Sequence, residues 1–353
     1  MFVPKGYLYN VVTGKSMGPV SSFLRTILFL FSLVYGLAVI ILAGFYRLRP
    51  SKLAAKVISV GNITLGGSGK TTFVEYLANR LNLEGKKVAI LSRGYKRNLK
   101  GRGISYIGDE PAMLERKLPF ARVVVNKNRL ESASHAIKDY AVDTLILDDG
   151  MQQWRIFKDL EIITIDAGDP FGNYRMLPAG FLREPLGALR RSDVFVLTQC
   201  DPKQDTKCLV AKLRYINPRA LIIESIHQPE WFSDIDNPQR ILSVDSFKGR
   251  PVMIFSGIGN PKGFENTILS LGINIACSIK FADHHDYTHD DIYKIAEEAK
   301  EKNLETIITT EKDAVKIREL GVKGVSIWVL NIKLKLITNE TEFVRRLLKL
   351  YSF

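Results

Sequence analysis

Lys70 and Thr71 close a glycine-rich run, Gly66-Gly67-Ser68-Gly69-Lys70-Thr71. It lies between an apolar stretch (Val57-Ile58-Ser59-Val60) and a segment with helical spacing (Phe73, Leu77, Leu81). Strand, glycine-rich loop and helix, in that order, form the frame of a phosphate-binding loop. Glycines let successive backbone N–H groups turn toward one anion, and the helix N-terminus adds its positive dipole end. In such a loop Thr64, Leu65, Gly66, Gly67, Ser68, Gly69, Lys70, Thr71 and Thr72 surround the phosphates of a nucleoside triphosphate. Lys70 reaches the β- and γ-phosphates, and the Thr71 hydroxyl ligates Mg²⁺. One position departs from G-x-x-x-x-G-K-[ST]: Thr64 stands where the first glycine is expected. The bland alternative is a glycine-rich turn without a ligand, but loop, Lys-Thr pair and flanking elements all agree.

Other residues could complete a phosphoryl-transfer site. Asp148 and Asp149 end the apolar run Thr144-Leu145-Ile146-Leu147, and carboxylates at the carboxyl end of a strand can hold Mg²⁺. Asp-Gly is also a good turn pair, so a plain capped turn competes. Gly108-Asp109-Glu110-Pro111 offers either a helix cap or a carboxylate that orients an attacking hydroxyl and accepts its proton. Asp283-His284-His285-Asp286-Tyr287-Thr288 could hold an imidazole in one tautomer; a polar loop with helix caps is the alternative. His285 and His289 lack an obvious third metal ligand. Arg93, Lys96, Arg129 and Arg183 are candidate anion contacts, since the guanidinium fork suits phosphate, though a lone surface arginine is more often only solvated.

These side chains need a scaffold. Short Val/Ile/Leu-rich runs near 56–61, 86–91, 122–126, 143–148, 160–166 and 193–198 alternate with helix-compatible segments, the pattern of a parallel sheet covered on both faces. A turn-rich stretch at 167–187 is long for an idle connection, and the alternation resumes from about 240. The expected division is a membrane-anchoring segment at 1–50, a P-loop α/β domain at 51–235 and a smaller α/β domain at 236–353 that closes the cleft. The anchor is the uncharged run from Thr26 to Tyr46, about 31 Å as a helix, close to the thickness of a bilayer's hydrocarbon, either crossing the bilayer or embedded in it. The competing readings are a cleaved signal peptide, for which the run is too long, and a buried soluble helix, which all-round hydrophobicity disfavours. Arg47, Arg49, Lys52 and Lys56 follow it, placing the rest on the cytoplasmic side. Fifty Lys and Arg against 37 Asp and Glu leave a formal charge of +13, which favours anionic partners. No zinc-ligand spacing or aromatic RNA-binding motif supports nucleic acid, and three cysteines without metal spacing read as reduced thiols.

Together these segments resemble the tetraacyldisaccharide 4′-kinase family of lipid A biosynthesis. The landmarks are the apolar helix, SVGNITLGGSGKTT, LSRGYKR, GDEPAML, NKNR, LILDDGMQ, LPAGFLREP, FADHHDYT and TTEKDAVK, between about residues 22 and 317. Thr72 stands where the family usually has Pro, Met151 where it has Phe, and Gln153 where it commonly has His; Thr64 is ordinary within it. The resemblance implies ATP- and Mg²⁺-dependent transfer of a γ-phosphate to the 4′-hydroxyl of a lipid disaccharide 1-phosphate, giving lipid IVA. It further implies two α/β domains at the cytoplasmic face of the inner membrane of a Gram-negative bacterium. By motif, Lys70 and Thr71 are the loop residues, Asp148 and Asp149 the Mg²⁺ carboxylates, and Asp109 the base, assisted by His284 rather than His285. Arg93, Glu110, Arg129, Gln152 and Arg183 are the expected substrate contacts. A rival of another class is a membrane-anchored P-loop ATPase switch acting through a protein partner. Such switches show a lysine where Leu65 stands, and they have no use for Asp109 or His284.

Overall fold

The computed structural model describes residues 5–94, 108–200, 205–283, 285–318, 320 and 326–352. Six strands lie within two residues of where the apolar runs place them: β1 (Lys56–Gly61), β2 (Val88–Ser92), β3 (Arg122–Val125), β4 (Thr144–Asp148), β5 (Leu160–Asp166) and β6 (Val194–Thr198). All pair in parallel, in the order β6-β5-β1-β4-β2-β3. Helices α3 (Lys70–Leu83), α4 (Asp109–Lys117), α5 (Arg129–Tyr140) and α6 (Lys207–Ile216) connect them. The spacing of Phe73, Leu77 and Leu81 works as expected, since all three are fully buried against the sheet.

A strand that the sequence pattern conceals joins this sheet to the rest. β7 (Leu221–Asp234) runs fourteen residues. Its first part pairs in parallel with β6, and the remainder pairs antiparallel with β12 (Ile327–Leu336). Pro229 and two glutamates break its apolar run. The proline is accommodated beside a bulge, where the register slips between Asn331 and Ile332. Beyond β12 come β11 (Ile307–Thr310), β9 (Pro251–Ser256) and β10 (Asn274–Lys280), all parallel, while β8 (Ile241–Ser243) edges β7. Helices α7 (Pro261–Ser270), α8 (His289–Glu301) and α9 (Glu311–Arg318) cover this second lobe. The last helix, α10 (Glu340–Lys349), returns to the first lobe, where Phe343 and Leu347 pack with Phe73 and Leu77.

Near the N-terminus, α1 (Lys5–Val12) precedes α2 (Pro19–Arg47), which exceeds the uncharged run and is largely exposed. Among the described residues α2 is the one helix long and apolar enough to cross a membrane. Its side is fastened to the first lobe at mid-length, where Tyr35 Oη donates to the Arg183 carbonyl (3.2 Å).

Two predictions follow from the packing. Phe343→Ala should cost about 3–5 kcal/mol, read as a lowered denaturant midpoint, because a fully buried ring of the shared core is lost. His227 on β7 contacts the Thr72 hydroxyl at 3.3 Å, and burial pushes its imidazole down from 6.5 to about 4. Between those values the unfolded chain binds a proton that the folded chain refuses. Its contribution is therefore complete above pH 6.5 and lost as pH falls toward 4. His227→Gln should flatten the fall in unfolding free energy between pH 7 and about 5.

Candidate functional site

The glycine-rich loop turns off the end of β1 into α3. Gly66 and Gly69 have φ of 123° and 69°, the left-handed region that a side chain resists. Nothing lies within 4 Å of where a Cβ on Gly66 or Gly67 would project, so the loop faces open space. Behind it, hydroxyls at the ends of neighbouring strands hold its backbone. Thr164 Oγ1 and Ser68 Oγ lie 2.8 Å apart, and Thr198 Oγ1 donates to the Ser68 carbonyl (3.0 Å). Gln199 Nε2 donates to the Gly67 carbonyl (3.2 Å).

Lys70 is aimed by a buried amide: its Nζ donates to Asn62 Oδ1 (3.0 Å). Arg183 Nη1 donates to the same oxygen at 3.2 Å. The segment carrying Arg183 lies along the start of the loop, with Leu65 N donating to the Phe181 carbonyl (2.7 Å) and Arg183 N to the Ile63 carbonyl (2.8 Å). Arg183 also forks onto Asp149, at 2.5 and 2.9 Å. Burial opposes ionisation of Asp149, but the hydrogen bonds and charge of Arg183 outweigh it and hold the carboxyl below its ordinary range. Asp148 ends β4 fully enclosed and accepts from Ser92 Oγ (3.1 Å). Burial, with Glu110 and Asp149 nearby, pushes its carboxyl up to about 6 despite Lys70.

These groups line a cleft of about 1230 Å³ between the lobes. Thr64 to Thr72 line it in full, as do Arg93, Glu110, Asp148, Asp149 and Arg183. Two expected contacts stand behind its wall. Gln152 Nε2 donates to the Arg183 carbonyl (3.4 Å), so it supports that arginine. Arg129 is buried, donates to the carbonyls of Asn126 and Asp148, and leaves its Nε without a partner. Burial pushes its guanidinium down to about 10, against the pull of Asp148 and Asp149.

Asp109 begins α4 in backbone position, and its side chain, Lys96 and His284 lie outside the described residues. Glu110 reaches across the cleft to Lys312. His285 is occupied in packing: it stacks on Phe281 at 4.6 Å and meets Asp291 Oδ2 at 3.1 Å. Thr288 and Asp291 form a reciprocal capping box on α8, so this part of the stretch does cap a helix. Among the described residues no three His, Cys, Asp or Glu groups gather as a metal site.

The arrangement suits a magnesium nucleotide. Mg²⁺ commonly takes one or two carboxylates, a hydroxyl, phosphate oxygens and water, so a caged cluster is not required. The open loop, the cation on α3 and the enclosed carboxylate of Asp148 are consistent with an anionic ligand and its cation. Asn62, Ser92, Gln199 and Lys312 were not singled out from sequence; only their place at strand ends or beside a motif hinted at them.

Known proteins resemble this chain along most of its length. The family described as tetraacyldisaccharide-1-P 4′-kinase matches residues 24–352. A tetraacyldisaccharide 4′-kinase of Halothermothrix orenii is 33% identical, covering 94% of both chains. One of Elusimicrobium minutum is 37% identical over 82% of this chain and 80% of its own. A crystal structure described as the apo form of LpxK from Aquifex aeolicus in complex with ATP shares 30% identity and superposes with a TM-score of 0.73. That similarity covers 93% of this chain and all of the other. The phosphate loop, the paired carboxylates beside it and the cleft shared by two lobes thus sit on a chain that belongs to the tetraacyldisaccharide 4′-kinase family.

Proposed function

We propose that the protein transfers the γ-phosphate of ATP to the 4′-hydroxyl of a tetraacyldisaccharide 1-phosphate, giving lipid IVA. The observation that carries this reading is the convergence of Lys70, Arg183 and Asp148 on one end of the cleft, with α4 opening beside them. Loop N–H groups and Lys70 bind the phosphates, and Arg183 adds a second cation where negative charge spreads in the transition state. Thr71, Asp148 and Asp149 would hold Mg²⁺, Asp149 while it also anchors Arg183. Bound there, Mg²⁺ neutralises charge on the β- and γ-phosphates. Asp109 accepts the proton of the 4′-hydroxyl as the new P–O bond forms and ADP leaves, and His284 assists. Arg93 and Glu110 border the acceptor, while Gln152 and Arg129 act from behind Arg183 and Asp148.

The two lobes act as domains about the β7–β12 pair, with α10 belonging to the first. Helix α2 attaches the enzyme to the inner membrane of a Gram-negative bacterium, catalytic lobes on the cytoplasmic face. Its fastening to the Arg183 carbonyl at mid-length supports a helix embedded along the surface, because a perpendicular span would draw that polar segment into the hydrocarbon. The acyl chains of the substrate then stay in the bilayer while its anionic sugar meets a basic protein body. No observation favours the ATPase switch.

Incubation of the purified chain with labelled ATP and a lipid disaccharide 1-phosphate in detergent should place label on the lipid; label found only in free phosphate would refute transfer. Lys70→Ala should reduce kcat/KM by about 10³-fold or more, since the main charge stabiliser is lost. Asp109→Ala should lower kcat by about 10²–10⁴-fold with little change in ATP affinity. Weakened ATP binding with normal turnover in that variant would remove Asp109 as the base.

A further inference from the structure

Lys312, on the first turn of α9, sits between carboxylates from both lobes. Its Nζ lies 3.2 Å from Asp283 Oδ1 in its own lobe and 3.5 Å from Glu110 Oε1 on α4. The residue before it makes the opposite bridge. Glu311 takes Lys117 at 2.8 Å, and Lys117 also pairs with Glu75 of α3 at 3.0 Å. Glu110 and Lys117 are seven residues apart on one helix, hence on one face and about 10 Å apart along the axis. Two adjacent residues of the second lobe thus hold both ends of α4 by charges of opposite sign.

We infer that Lys312 is a positioning residue for the proton-handling side of the reaction. It ties the turn of α4 that carries Asp109 to the turn at Asp283 that leads into His284, so that the two backbones keep one spacing across the cleft. The inference rests on the kinase reading and on Asp109 as base. Direct binding of phosphate by Lys312 fits the geometry less well, because two carboxylates already offset its charge. A stabilising role is equally poor: side-chain exposures of 20, 34 and 40% leave these pairs well screened, and such pairs add little to stability. Displacing a reacting group by about 1 Å, by contrast, can cost 10²-fold in rate.

The test uses the full chain in detergent with ATP and a lipid disaccharide 1-phosphate. Lys312→Ala should lower kcat by about 10–100-fold while the KM for ATP moves less than about threefold. Lys312→Arg, which keeps the charge, should recover most of the turnover. Glu110→Gln should also slow turnover, and the double variant Glu110→Gln with Lys312→Ala should be no slower than the worse single one, because both break the same bridge. Thermal melts check that each variant is folded, and Lys312→Gln replaces Lys312→Ala if the latter is not. A raised KM for ATP with kcat unchanged would make Lys312 a nucleotide ligand and overturn the inference. So would multiplying losses in the double variant, or unaltered kcat in both Lys312→Ala and Lys312→Gln. Failure of the underlying reading looks different: the unmodified protein would release free phosphate only, or Asp109→Ala would turn over normally.

Discussion

One buried oxygen, Oδ1 of Asn62, accepts hydrogen bonds from both Lys70 and Arg183. Two cations brought that close repel each other, and neither would stay without fixed acceptors in a region shielded from water. Asn62 is fully buried at the end of β1, with its amide nitrogen donating to the Thr64 carbonyl at 2.6 Å, so it cannot swing away. The position of a parallel strand's end therefore decides where these two cations stand in the cleft. Asp149 completes the arrangement from β4, the adjacent strand, by forking with Arg183.

A second network of buried charges holds the chain next to Arg183. Glu184, the residue after Arg183, is buried and accepts from Arg191 at 2.7 and 2.8 Å and from Trp154 at 3.1 Å. Arg191 reaches Glu161, which also takes Lys158 at 2.6 Å. Each buried ion has an opposite partner, which is the condition under which such groups are tolerated; removing one member would leave a charge unpaired. The network fixes the chain on one side of Arg183, and its strand-like contacts with Ile63, together with Leu65 and Phe181, fix the other.

The same segment meets the long apolar helix α2. Tyr35 of α2 and Gln152 both donate to the Arg183 carbonyl, so the apolar helix is part of the structure that holds this cleft-lining arginine. On the other side of the cleft, β7 carries the sheet from the nucleotide-binding lobe into the second one, and α10 crosses back. The two halves are joined by backbone hydrogen bonding in β7 and β12 and by charge pairs at α4.

Much of this was legible in the chain alone, for a physical reason: the information was local. The loop at residues 61–72 announces itself because glycine, lysine and threonine must occupy consecutive positions between a strand and a helix. The buried strands β1 to β6 are continuous apolar runs because both of their faces are covered. What tertiary structure decided depends on pairings that spacing along the chain does not reveal. Asn62 looked like part of a motif until Arg183 arrived beside it, 121 residues later. Arg129 and Gln152 have the chemistry of substrate contacts, yet strand and helix placement sets them behind the wall. β7 was hidden because Pro229 interrupts its pattern, and only the bulge opposite β12 makes room for it. In the sequence Glu110 reads as a helix cap or a substrate contact and Lys312 as part of a capped helix start; they become partners only when the second lobe is laid over α4, a relation set by sheet register rather than by spacing along the chain.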